Sequence, residues 1–252
     1  MSTVVEAAVM IDAAGMHYRR LNERVRGALE EGATEILLRN VCGQRYIGAG
    51  FETDARIVVE GVPGNDLACF MDGPHITVRG NAQDGVANTM SSGSVTIHGH
   101  VGDVAAYAMR GGRVFVRGDA GYRVGIHMKE YKARVPVVVI GGTAKDYFGE
   151  YMAGGTLVLL GLDRAKDEPI AGEFLGTGMH GGQILLKGHV EKWQLGKEVG
   201  EVELNDACWF ELLRNLQEFA AEFKLEAEEF RREEFTRLMP VSHRPYGKLY
   251  VY

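Results

Sequence analysis

The sequence predicts an all-β protein with flanking helices: a parallel β-helix, or solenoid, of about seven to eight coils, with an N-terminal helical cap and a C-terminal amphipathic helix. Three observations predict it. Residues 57–118 carry four copies of one unit, Ile57-Val58-Val59-Glu60-Gly61, Ile76-Thr77-Val78-Arg79-Gly80, Val95-Thr96-Ile97-His98-Gly99 and Val114-Phe115-Val116-Arg117-Gly118, with the glycines 19 residues apart. A unit repeated at fixed period buries its apolar face only by stacking on its neighbours. The first and third positions of each copy are aliphatic, a period of two that lines one face of a strand. Finally, the intervals hold glycine, aspartate and short apolar pieces, leaving no room for the crossover helices of an α/β sheet.

Taken in order, residues 1–34 form the N-terminal cap, 35–190 the β-helix and 191–252 a helical extension and tail. Within Met16–Glu31, Leu21, Val25, Ala28 and Leu29 share one helical side, and Gly32 ends the helix over the first coil. The repeat then runs outward from its four clear copies to Ile36/Leu38, Val137/Val139, Leu157/Leu159 and Ile184/Leu186 as further interior pairs. Glycine closes these strands at Gly61, Gly80, Gly99, Gly118, Gly141, Gly161 and Gly188, with Asn40 in the first, and Gly and Asn are the residues that accept positive φ at a sharp corner. Met71, Met90, Met109 and Met128 recur every 19 residues, and Met152 and Met179 each stand five before a strand. Unbranched Met fills such an interior ladder well. Two intervals break the period, at 129–136 and 162–177, and insertions leave a solenoid at a face that commonly does its work. After the N-cap candidates Asn205 and Asp206, Trp209, Leu212, Leu213, Leu216, Phe219, Ala220 and Phe223 make an apolar stripe on a helix. Outward positions Phe115, Val138, Ile140, Val158, Leu160 and Leu185 form the patch that this helix or a partner is expected to cover. The closing Arg244-Pro245-Tyr246-Gly247 turn and its aromatics read as a docked tail.

Composition narrows the function. The chain has 252 residues, 46% hydrophobic and 25% charged, enough for a substantial core, and a net charge of −6 with basic residues scattered argues against nucleic acid. Cys42, Cys69 and Cys208 are far apart, which fits a reducing cytoplasm and no disulfide framework or zinc knuckle. Met1–Met10 lack a basic signal region, and no apolar run approaches the ~18 residues of a membrane span.

Each candidate for chemistry has a structural alternative. Gly176-Thr-Gly178-Met-His-Gly181 matches the dinucleotide glycine pattern, but it precedes a strand where such a loop must follow one. His98 and His100 flank Gly99, without neighbours to complete a metal site, and His127 and His180 adjoin the Met column. Asp66 and Asp84 could approach along a column, as carboxylates do in sugar-cleaving β-helices, yet Asp72, Asp84 and Asp103 sit in turns where Asp bonds the backbone. No catalytic, cofactor-binding or metal residue is assigned.

Gly118-Asp-Ala-Gly121-Tyr-Arg-Val-Gly125, with weaker copies after Gly61, Gly99 and Gly142, resembles the unit of the GXGXG domain. Together with Asn22-x-x-Val25-x-Gly27, Cys42-Gly-Gln-Arg-Tyr46 and Glu150-Tyr-Met-Ala-Gly-Gly155, the pattern over residues 15–188 resembles the C-terminal domain of the glutamate synthase large subunit in free-standing form. That resemblance implies a right-handed β-helix with a structural role. It implies glutaminase-domain and FMN-binding synthase-type subunits as partners, with FMN and iron–sulfur clusters held by them and no cofactor on this chain. Self-association stays open. The same fold resembles the C-type subunits of formylmethanofuran dehydrogenase and of the formyltransferase/hydrolase complex, and a component of N-methylglutamate synthase. A carbohydrate-active β-helix enzyme is the remaining alternative.

Overall fold

The computed structural model describes residues 8–165, 167–226 and 230–242. Its elements are β1 (Val9–Asp12), α1 (Tyr18–Glu30), β2 (Glu35–Cys42), β3 (Arg56–Val62), β4 (Asp72–Val78), β5 (Ser92–Ile97), β6 (Arg113–Val116), β7 (Val137–Ile140), β8 (Ala153–Leu159), β9 (Gly181–Lys187), β10 (Val199–Val202), α2 (Asp206–Phe223) and β11 (Phe235–Pro240). They build one 11-stranded sheet in the order β1-β2-β3-β4-β5-β6-β7-β8-β9-β11-β10, parallel through β9 and antiparallel from β9 to β11 and β11 to β10. The predicted tail therefore supplies a strand, β11, that slots between β9 and β10. The Arg244–Gly247 turn lies outside the described residues.

Each coil has three sides. One is the strand; a second is a ladder of single bridges joining Ala82, Val101, Ala120, Ala144 and Ala171. The third is a corner in which three alternate residues take positive φ: Tyr46/Gly48/Gly50, Asp66/Ala68/Phe70, Gly85/Ala87/Thr89, Val104/Ala106/Ala108, Arg123/Gly125/His127, Tyr147/Gly149/Tyr151 and Phe174/Gly176/Gly178. These corners enclose about six full windings, slightly fewer than the predicted seven to eight coils. The difference arises at the ends, where α1 and the antiparallel pair finish the stack without a further corner.

The interior is continuous. Ile57/Val59, Ile76/Val78, Val95/Ile97 and Val114/Val116 face the Met71, Met90, Met109, Met128, Met152 and Met179 ladder, and every one of these side chains is at most 1% exposed. Leu21, Val25, Ala28 and Leu29 of α1 close the first coil's end of this core. Burial of this kind stabilises by about 1.5–3 kcal/mol per large aliphatic side chain.

Two expectations need correction. Val138 and Ile140, predicted outward, pair with Val114 and Val116 and lie in the interior, while Val137 and Val139 face out under α2. The insertion before β7 sets a 24-residue step, as between Asp119 and Thr143, and Val137-Val-Val-Ile140 is apolar on both faces, so nothing in it marks the register. As a result Gly142, not Gly141, stands over Gly118 at the corner, its N–H donating to the Gly118 carbonyl at 2.9 Å. The second correction concerns why glycine occupies the strand ends. Gly61 has φ +124°, but Gly118 does not have positive φ; a Cβ there would lie 2.6 Å from Nδ1 of His100 and 2.9 Å from the Gly99 carbonyl. Closeness of the coil behind is the constraint at that position.

Candidate partner interface

α2 seals one outer face. Asn205 caps it by accepting from the Cys208 N–H at 3.0 Å, and Leu212, Leu216, Phe219 and Ala220 pack on Phe115, Val137, Val139, Val158, Leu160 and Leu185. Phe219 meets Phe115 edge to face at 5.8 Å, and Phe223 meets His98 at 5.2 Å. The expected covering of the outer patch by the C-terminal helix is thus observed, with the two β7 residues exchanged. Beyond the end of α2 the sheet's outer side is open over β2 and β3, where Leu37, Arg56, Val58, Glu60 and Arg79 line a hollow of about 360 Å³.

The positive-φ corner is a different surface. Alternation of left- and right-handed residues sends backbone bonds both ways along the rod: the N–H groups of Asp66 and Phe70 donate forward to the carbonyls of Asp84 and Asn88, and that of Ala68 donates back to Ile47. The middle residue of each triplet points into the core and is glycine or alanine throughout; a Cβ at Gly125 would sit 2.7 Å from a Leu157 methyl. In the later corners the side chains that reach solvent are aromatic or basic: Tyr107 in the fourth, Arg123 and His127 in the fifth, Tyr147 and Tyr151 in the sixth and Phe174 in the seventh. His127 stacks on Tyr151 at 5.3 Å and 12°, with Tyr107 edge-on at 5.9 Å, and Tyr147 stacks on Phe174 at 4.9 Å and 12°. Arg123 lies over Tyr147 at 4.3 Å and ion-pairs with the buried Glu150; the side-chain bond to Glu150 is the main reason its pKa is raised. Phe70 and Trp193 are 62% and 65% exposed. An exposed ridge rich in Tyr, Phe, Trp and Arg is the composition of a protein-binding hot spot.

The residues weighed for chemistry are used structurally. Asp66 accepts from the Asn88 side-chain amide at 3.1 Å, and Asp84 accepts the Asp103 backbone N–H at 2.9 Å, so each carboxylate bonds the next coil instead of pairing with the other. His100 accepts the Asp119 N–H at 2.8 Å, on the coil beyond, while His98 faces Phe223. Gly176 and Gly178 belong to the last positive-φ triplet. Burial pushes the Cys69 thiol up to about 11, leaving it protonated and unreactive. Among the described residues, no group of three or more His, Cys, Asp or Glu side chains could hold a metal ion, and no helix is long and apolar enough to cross a membrane. The ridge escapes a reading of the sequence because Phe70, Tyr107, Tyr151 and Phe174 share no simple period; only the triplet spacing aligns them.

Stacked windings closed by small-residue corners, with a ridge of exposed aromatic side chains, define a repeat-built β-solenoid. The chain belongs to the GXGXG motif family, whose pattern matches residues 31–239. It is 48% identical over 251 residues to an uncharacterized protein of Methanocaldococcus jannaschii, covering 96% of each chain. Among solved structures it is similar to a chain of the formyltransferase/hydrolase complex of Methylorubrum extorquens, determined with methylofuran: TM-score 0.58, 20% identity, 89% of this chain and 88% of that one. That likeness is one of fold.

Proposed function

We propose that this chain is a non-catalytic structural subunit of a cytoplasmic glutamate synthase-type assembly. It would hold a glutaminase-domain subunit and an FMN-binding synthase-type subunit in fixed relation, the FMN and iron–sulfur clusters residing on those partners. The observation that carries the reading is the exposed ridge of Tyr107, His127, Tyr147, Tyr151 and Phe174, built on a rod in which Asp84, Asp103 and Asp146 each cap the backbone of the next coil with one oxygen. Family membership supports it, since the glycine pattern resembles the free-standing form of the synthase domain. A second reading, a scaffold in a formyl-transfer assembly, is favoured by the shared fold with the formyltransferase/hydrolase complex chain.

Affinity purification of the tagged chain from its native host, followed by mass spectrometry and flavin absorbance, tests both. Larger subunits carrying flavin and iron–sulfur clusters support the first reading; formyl-transfer subunits replace it with the second. A chain that travels alone, or that turns over substrate unaided, overturns both.

A further inference from the structure

Resting on the scaffold reading, we infer that the positive-φ corner is the docking face, and that it receives a partner protein surface presenting a row of arginine and lysine side chains. The charge on this corner specifies the partner. Beside the aromatic ridge runs a column with one residue per coil, Asp84, Asp103, Tyr122, Asp146 and Glu173, four of the five acidic. Asp84, Asp103 and Asp146 each accept a backbone N–H of the next coil with one carboxylate oxygen, at 2.9 Å, which fixes the side chain and keeps the negative charge at the rim.

A fixed carboxylate beside an aromatic ring is a receptor for a guanidinium, which pairs with the first and stacks on the second. The chain already contains one filled example on this face: Arg123 lies over Tyr147 and bonds Glu150. Glu173, whose N–H is held by Asp146, adjoins Phe174 and repeats the elements; among the described residues no cation pairs with the carboxylate or lies over the ring, and Phe174 is 42% exposed.

Two other occupants fit less well. A second copy would set acidic column against acidic column in a molecule of net charge −6, and like charges facing each other oppose association. A neutral sugar would leave the fixed carboxylates of Asp84, Asp103 and Asp146 without a counter-charge, which a row of cations supplies.

The test uses the complex as purified with its own subunits. Glu173→Lys and Phe174→Ala are each expected to lower partner retention by about fivefold or more, with Phe174→Tyr restoring it. Wild-type retention falls as salt rises from about 0.1 to about 0.5 M. Phe210→Ala, on the exposed side of α2, retains the partner, and all variants keep the wild-type melting curve. Carboxyl-to-amine cross-links from Glu173 or Asp146 to a partner lysine complete the support.

Full retention by Glu173→Lys and Phe174→Ala, retention indifferent to salt, or cross-links to a second copy of this chain would overturn the inference while leaving the scaffold reading in place. A wild-type chain that purifies with no subunit at all overturns the scaffold reading, and this inference with it.

Discussion

The backbone of Tyr122 is held from the coil before it: its N–H donates to the Asp103 carboxylate at 2.9 Å. The same arrangement joins Asp84 to Asp103, Asp119 to Thr143 and Asp146 to Glu173, so aspartate does between windings what an N-cap does for a helix. Asp103→Ala leaves that N–H without its acceptor and is expected to cost about 0.5–2 kcal/mol, whereas Asp103→Asn keeps an acceptor and most of the stability. Chemical denaturation of the two variants checks it; equal losses would count against the cap.

Glycine substitutions should split by sign. Gly61 combines φ +124° with a Cβ position that would fall on the Val41 carbonyl, so Gly61→Ala is expected to destabilise by about 1–3 kcal/mol. Gly27 lies inside α1 with nothing within 4 Å of its Cβ position, so Gly27→Ala is expected to stabilise by about 0.5–1 kcal/mol. Thermal melts of both variants give the comparison.

Phe219 is fully buried between α2 and the sheet and packs on Phe115. Phe219→Ala should therefore cost about 3–5 kcal/mol, largely through the cavity it leaves. Phe210→Ala, at a residue 67% exposed, should change stability by under about 0.5 kcal/mol. Loss of α2 helicity at lower denaturant in the first variant only is the expected circular dichroism result.

Asp72 links distant coils. It accepts from Ser92 Oγ at 2.5 Å and from Arg134 of the inserted loop at 3.1 Å, and these partners, Ser92 first, hold its pKa below the ordinary 3.8. A lowered carboxylate pKa contributes stability above the unfolded value that is lost as pH falls through the folded one. Wild type should therefore exceed Asp72→Asn in melting temperature at neutral pH, and the gap should narrow below about pH 4. A gap unchanged into strong acid would contradict the linkage.

Much of this architecture is legible because period and burial coincide. Ile57, Ile76, Val95 and Val114 recur at the spacing that stacks them, and the Met71-to-Met128 ladder does the same. β7 sits one residue out of its expected register because α2 buries its outer side, erasing the alternation that normally marks register. The corners are hidden for another reason. Ala68, Thr89, Val104 and Tyr147 all take positive φ although their side chains give no sign of it; the coils on either side impose the conformation. β1 and β11 are invisible in the sequence because each is a short strand whose place is set by a partner far along the chain. The ridge needs the corner spacing before Tyr107, His127 and Tyr151 can be seen as neighbours.

The antiparallel closure by β11 and β10 turns an open-ended pattern into an object of set length. β11 pairs with β9 and α1 packs on the first coil, so removing one 19-residue unit around β4, away from α2, would shorten the rod by about 4.8 Å and leave each lid still fitting. Winding number thus works like notches on a gauge: evolution can adjust the distance between the two ends without altering either of them.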